Sequence, residues 1–269
     1  MAKGWWWMTI TVQSEGIGVR RVGLMRRIAI GGLAGGIAGV VVLGVGARLV
    51  MFVSRLLHPE AVGLITENNN RIGQFTIGGT LELILLGGVG FGLTAGVVWV
   101  IVRKWMPDSA VLVGLGAVAI GGSLLIQADN TDFFLLQGPQ IDIVLLLGLI
   151  LVFGMSVYWV DGWLDRRLPD HPGRFGVVVY SIMLIVGVVF LFAVFGAFFL
   201  GAFCLCSNSP RWTGVFLAAT LLTTVAWWVQ HLRGAEEPTN ALKTVGTTSV
   251  VLTGLAGAIH LTREIIHIL

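Results

Sequence analysis

The chain is predicted to fold as an all-α bundle of transmembrane helices. Three observations lead there: seven long apolar stretches separated by short polar connections, a charged fraction of only 12%, and a mean hydropathy of +0.90. A span needs about 20 mostly apolar residues to cross a hydrocarbon layer of roughly 30 Å, whereas about a quarter of the residues of a soluble domain are charged. Of the 269 residues, 56% are hydrophobic, and no connection is long enough to enclose a core of its own. Any chemistry therefore belongs to the bundle or to its rims. The expected architecture is a polytopic integral membrane protein of about seven transmembrane helices, amino terminus in and carboxyl terminus out.

Residues 1–27 read as a cytoplasmic juxtamembrane tail. Trp5, Trp6 and Trp7 suit the headgroup level, the pairs Arg20, Arg21 and Arg26, Arg27 follow, and Met8 and Met25 are alternative starts. Residues 28–269 read as a single transmembrane domain. Its first span, Ile28 to Val53, holds an apolar run from Ile28 to Ala47 that exceeds the 7 to 15 residues of a signal-peptide core, and no small-x-small cleavage site follows it. It is therefore expected to be retained. The next spans run from Thr80 to Val102, Ser109 to Gln127 and Ile141 to Val160. The fifth, Phe175 to Cys206, is too long at about 1.5 Å per residue for one upright crossing, so strong tilt or a bend near Gly187, Gly196 or Gly201 is expected. Trp212 to Gln230 and Thr244 to Thr262 complete the set.

Threading these spans with the amino end inside places 12 of the 17 Lys and Arg residues on the cytoplasmic rim and four outside, with Arg48 within a span. Cytoplasmic loops retain Lys and Arg, which sets the orientation. The indoles of Trp99, Trp105, Trp159, Trp163, Trp227 and Trp228 fall at the same inner boundary, as an interfacial aromatic belt does. The expected site is the inner (plasma) membrane of a bacterium. The pI near 9.2 then reports attraction to anionic headgroups of the bilayer. No basic stripe of the nucleic-acid-binding kind is present.

Glycine occurs 38 times. Gly31, Gly35 and Gly39 in the first span and Gly88, Gly92 and Gly96 in the second are spaced by four. Small residues one turn apart let helix backbones approach closely where lipid removes the usual hydrophobic drive. These stripes are expected to join the first two spans to each other or to another membrane subunit.

Several polar residues are candidates for chemistry. Arg48, late in span one, and Glu82, early in span two, are costly in the bilayer, at about 2.5 to 3.5 kcal/mol for a central charge, and are placed to pair or to form a substrate or proton site. Asp129, Asp132, His260, Glu264 and His267 share the outer rim, where carboxylates and imidazoles suit a cation, a proton path or a headgroup. His260, Glu264 and His267 also share one helix face. The Glu264 to His267 spacing is half of a di-iron motif, and the other half is missing. On the inner rim, Asp161 and Asp165 form a D-x-x-x-D whose carboxylates lie on one face, a geometry that suits Mg²⁺ on a diphosphate. It resembles one half of the aspartate-rich pair of membrane prenyltransferases, without the second half. A pairing of either aspartate with Arg166 or Arg167 is the simpler expectation. Cys204 and Cys206 are too close for an ordinary structural disulfide.

No G-x-x-x-x-G-K-[ST], H-E-x-x-H or G-x-S-x-G occurs, and no cofactor is specified. The sequence therefore favours a multi-pass membrane protein without catalytic motifs, an accessory subunit of a complex or a lipid- or solute-handling protein. The alternatives are an outer-facing transport site and a Mg²⁺-dependent lipid enzyme.

Overall fold

The computed structural model describes residues 5–65, 71–72, 76–130, 133, 138–169, 173–200 and 209–269, with side chains from residue 20 onward. In hydrocarbon every backbone N–H and C=O must be satisfied within the protein, and the apolar runs accordingly form helices. Helix α1 (Trp5–Ala38) passes through a π-helical stretch, Gly39–Val45, into α2 (Gly46–Leu57). After a turn of 3-10 helix at Pro59–Ala61, the chain returns through α3 (Ile77–Glu82), a second π-helical stretch, Leu83–Gly90, and α4 (Phe91–Val102). Then come α5 (Ala110–Leu125), α6 (Gln140–Arg167), α7 (Arg174–Leu200), α8 (Arg211–Leu232) and α9 (Asn240–Ile268).

The result is an all-α bundle of a multi-pass membrane protein. Six of its helical segments, counted among the described residues, are long and apolar enough to cross a membrane. The third expected span is the exception. Helix α5 has 16 residues, about 24 Å at 1.5 Å per residue, because the backbone turns extended at Ile126. In the fifth, α7 is helical without a break at Gly187 or Gly196. Its 27 residues are about 40 Å long, more than one upright crossing needs. Gly201, Cys204 and Cys206 lie outside the described residues. The amino-terminal segment expected as a tail continues α1 back to Trp5.

The two glycine stripes meet each other. A Cβ placed on Gly35 would strike the Gly92 carbonyl oxygen and lie 2.6 Å from the Gly96 Cα, and one on Gly39 would strike the Gly88 carbonyl oxygen and lie 2.6 Å from the Gly92 Cα. In the reverse direction Gly92 faces the Gly35 carbonyl and Gly96 the Gly31 carbonyl, each at 2.6 Å. This is direct backbone contact of the kind small residues permit in lipid, and it consumes all six glycines within the chain. The two π-helical stretches continue the same seam, with Gly88 against the Cα of Val40.

Two further small-residue contacts set α5. Gly154 of α6 packs on Gly114 of α5, and Gly257 of α9 packs on the Ala119 carbonyl. One apolar cluster runs through Ile30, Ala34, Trp99, Phe153, Phe198 and Leu217, and a second, at the other end of the bundle, holds Ile126, Phe133, Ile143, Leu261 and Ile268. Helix α7 is held mainly by Val194 and Phe198, while Ile185 and Phe192 point outward, as lipid-facing side chains do.

Candidate functional site

At one end the bundle gathers its arginines and tryptophans. The Arg26 guanidinium, 7% exposed, donates to the Asp165 carboxylate at 2.5 Å and to the backbone carbonyls of Asp165 and Leu168 at 2.6 and 2.8 Å. It thereby ties α1 to the carboxyl end of α6, where backbone acceptors are left over. Arg103 donates to Asp161 at 2.9 Å and to the Arg27 carbonyl at 3.0 Å. The buried Trp99 indole N–H has no hydrogen-bond partner among the described residues. The D-x-x-x-D is thus ion-paired, but with arginines of other helices rather than with Arg166 or Arg167. Because α6 continues unbroken through Arg167, both aspartates are held on a helix facing its neighbours, not in a loop. Replacing Arg26 with alanine is expected to cost about 1.5–3 kcal/mol, the range for hydrogen bonds to charged groups, the outer half of the pair being solvated. Chemical or thermal unfolding in detergent measures it, and an unshifted transition would show that the clamp contributes nothing.

Above this layer lies an apolar cavity of about 370 Å³, enclosed by α4, α5, α6, α7 and α9. Its walls are thin because small residues line them, among them Thr94, Ala95, Gly116, Ala117, Gly121 and Gly254. Trp105 forms its floor. The indole N–H donates to the Thr224 hydroxyl at 2.8 Å, and that hydroxyl donates to the Ile101 carbonyl at 2.8 Å, so the ring is fixed and lies on Gly246. The lining residues Pro107, Leu112, Thr247 and Val251 are exposed, which puts the mouth sideways between α5 and α9. Further along, these two helices touch at Ala119 with Gly257 and at Gly122 with Leu261.

Beside that mouth Lys243 donates to Glu237 at 2.7 Å, and the Lys104 ammonium lies 5.3 Å from the centre of the Trp227 ring. The hydrogen bond and charge of Lys243, with a further contribution from Lys104, hold the Glu237 carboxyl below its usual range. The sign is that of a depressed acid: the pairing is complete above the ordinary carboxylate range and is lost as pH falls through the depressed value.

At the opposite end His58, at the carboxyl end of α2, stands between two carboxylates: Nε2 is 2.8 Å from Asp142 and Nδ1 is 3.2 Å from Glu60. The imidazole and Asp142 side chains are 7% and 6% exposed. Nearby Glu264, 1% exposed, accepts the Ala128 N–H at 2.8 Å and lies 3.9 Å from His260 Nε2. Among the described residues no group of three or more His, Cys, Asp or Glu is arranged to hold a metal ion.

No protein-family model matches this chain. Nor does any curated protein or solved structure.

Of the residues singled out in the sequence, the structure brings His260 and Glu264 together beside Ala128, next to Asp129, while His267 is exposed and Asp132 lies outside the described residues. Among the described residues no ion pair joins Arg48 to Glu82: Arg48 donates to Met51 Sδ at 4.0 Å, and Glu82 is exposed at the end of α3. His58 and Asp142 were not singled out. The available signal was an aspartate one residue inside the start of an apolar run, Ile141 to Val160, with a histidine in the connection threaded to the same rim. The cavity left no sequence signal beyond the glycines and alanines of α5 and α9.

Proposed function

We propose that this multi-pass membrane protein is a non-enzymatic lipid-handling protein that takes the hydrocarbon chain of a membrane lipid into the cavity through the mouth between α5 and α9. The observation that carries this reading is the cavity itself. Its volume falls in the range of small-molecule sites and is more than twice that of the apolar void of about 150 Å³ that accepts benzene. The neighbouring solvent at a lateral mouth is hydrocarbon, which supplies the missing contacts.

The other readings draw less support. An accessory subunit docked through Gly31, Gly35, Gly39, Gly88, Gly92 and Gly96 would need those glycines free, and they touch each other. A Mg²⁺-dependent enzyme using Asp161 and Asp165 would have to displace two arginines. A transport site on the outer rim would have to release Glu264 from the Ala128 N–H. The excess of Lys and Arg at the Arg103 end supports an orientation with that end toward the cytoplasm, in a plasma membrane on this reading.

Gly254 gives the test. A Cβ there meets nothing within 4 Å, so Gly254→Phe fills the cavity without displacing backbone. Native mass spectrometry of the detergent-purified protein is expected to show bound lipid in the wild type and at least tenfold less in G254F. Equal lipid on both would defeat the reading.

A further inference from the structure

We propose that Asp142 is a proton-binding site, filled from the solution at the His58 end of the bundle along the line Glu60, His58, Asp142. The inference is independent of what occupies the cavity.

The geometry that points there is a line of three groups, each within hydrogen-bond reach of the next. Glu60 lies in the 3-10 turn Pro59–Ala61, which the Ala61 N–H closes onto the His58 carbonyl at 3.1 Å. The turn folds the Glu60 carboxylate back over the ring, with Oε1 3.2 Å from Nδ1 of His58. On the other side of the ring, Nε2 is 2.8 Å from Oδ2 of Asp142, in the first turn of α6. The three side chains are 38%, 7% and 6% exposed in that order, so the line leads from the surface into the bundle. Both separations lie within the heavy-atom range of about 2.6–3.2 Å over which a proton passes. An imidazole suits the middle position because it accepts a proton on one nitrogen and releases one from the other.

In the loading step the O–H bond of a protonated Glu60 breaks as an N–H bond forms at Nδ1, and the N–H bond at Nε2 breaks as an O–H bond forms at Asp142 Oδ2. Glu60 is left as a carboxylate, His58 stays neutral, and Asp142 becomes a neutral acid. The reverse transfers release the proton. Asp142 Oδ1 marks the inner end of the line: it is buried and has no hydrogen bond among the described residues. A buried oxygen without a donor costs more on a charged group than on a neutral one, and a bound proton removes that charge. Ionisable side chains in a spanning helix commonly serve as proton relays. The elements packed on this end of α6 bring few other titratable groups. Helix α5 and the π-helical stretch Gly39–Val45 carry none, and the described ones of α1 lie at the Arg26 end. On α2, Arg48 donates to Met51 and Arg55 is exposed. On α9, whose Leu261 and Ile268 pack with Ile143, Glu264 accepts the Ala128 N–H while Arg263 and His267 are exposed.

The full chain in detergent is acidified by flash release of a caged proton, and the C=O stretch of protonated carboxyl groups is followed by time-resolved infrared difference spectroscopy. The wild type is expected to gain a band at the high-frequency edge of the carboxyl region, where a C=O without a donor absorbs. The isosteric variant Asp142→Asn is expected to lack it. Glu60→Gln is expected to keep the band and to fill it about a hundredfold more slowly, the low end of what a positioned proton-transfer group contributes. This variant leaves the buried pair in place, so its rate remains readable even if Asp142→Asn does not fold. Absence of a high-frequency band in the wild type, or its persistence in Asp142→Asn, overturns the site. An equal filling rate in Glu60→Gln overturns the route and leaves His58 as a tie between α2 and α6.

Discussion

Gly35→Ala and Gly39→Ala are expected to lower the unfolding transition of the purified protein sharply, whereas Gly32→Ala, in the same span, leaves it unchanged or raises it. The difference is what a methyl group would meet. At Gly35 and Gly39 it runs into the carbonyl oxygens of Gly92 and Gly88 and comes within 2.6 Å of a second backbone atom. Backbone cannot rotate aside as a side chain can, so α1 and α4 must separate along their seam. Overpacking typically costs 1–3 kcal/mol, and with no side chain to yield the cost is expected at or above the upper figure. At Gly32 nothing lies within 4 Å, and alanine gains up to about 1 kcal/mol of helix propensity. Detergent thermal unfolding of the three variants decides it. Identical midpoints would mean that the seam does not carry the first two spans.

His58→Ala is the second large effect. The Asp142 carboxylate is buried, its Oδ1 has no hydrogen bond among the described residues, and its Oδ2 lies 2.8 Å from His58 Nε2. Removing one member of a buried pair costs about 3–5 kcal/mol because the other charge is left uncompensated. The double variant His58→Ala/Asp142→Ala is expected to recover part of that loss, since it removes the stranded charge as well. A double variant as unstable as the sum of the single ones would show that the two residues act independently. Glu60 is 38% exposed, and Glu60→Gln is expected to change little.

The helices were legible because a bilayer leaves the chain one solution for an apolar run of spanning length, and the glycine stripes were legible because close approach of backbones requires small residues at one-turn spacing. What was not legible is instructive in the same terms. The shortening of the third helix depends on an extended backbone at Ile126, which no charge or glycine marks. The partners of Asp161 and Asp165 come from α1 and from the end of α4, and pairing across helices is a property of packing that sequence neighbours such as Arg166 and Arg167 only imitate. Arg48 and Glu82 share a rim in the sequence reading, but which way each points depends on how far the helices wind. The two π-helical stretches lie just before Arg48 and just after Glu82, and they change that winding. His58 and Asp142 are 84 residues apart, and only the fold brings the end of α2 to the start of α6.

The sideways mouth has one further consequence, in how occupancy is counted. A site that opens to water fills according to molar concentration, and dilution empties it. A site that opens between α5 and α9 fills according to the mole fraction of its ligand in one leaflet, so diluting the membranes in buffer leaves it loaded. Excess detergent, which lowers that mole fraction, empties it. On the lipid-handling reading, even a modest preference over bulk lipid then keeps the site filled, and the detergent-to-lipid ratio during purification decides what is found in it.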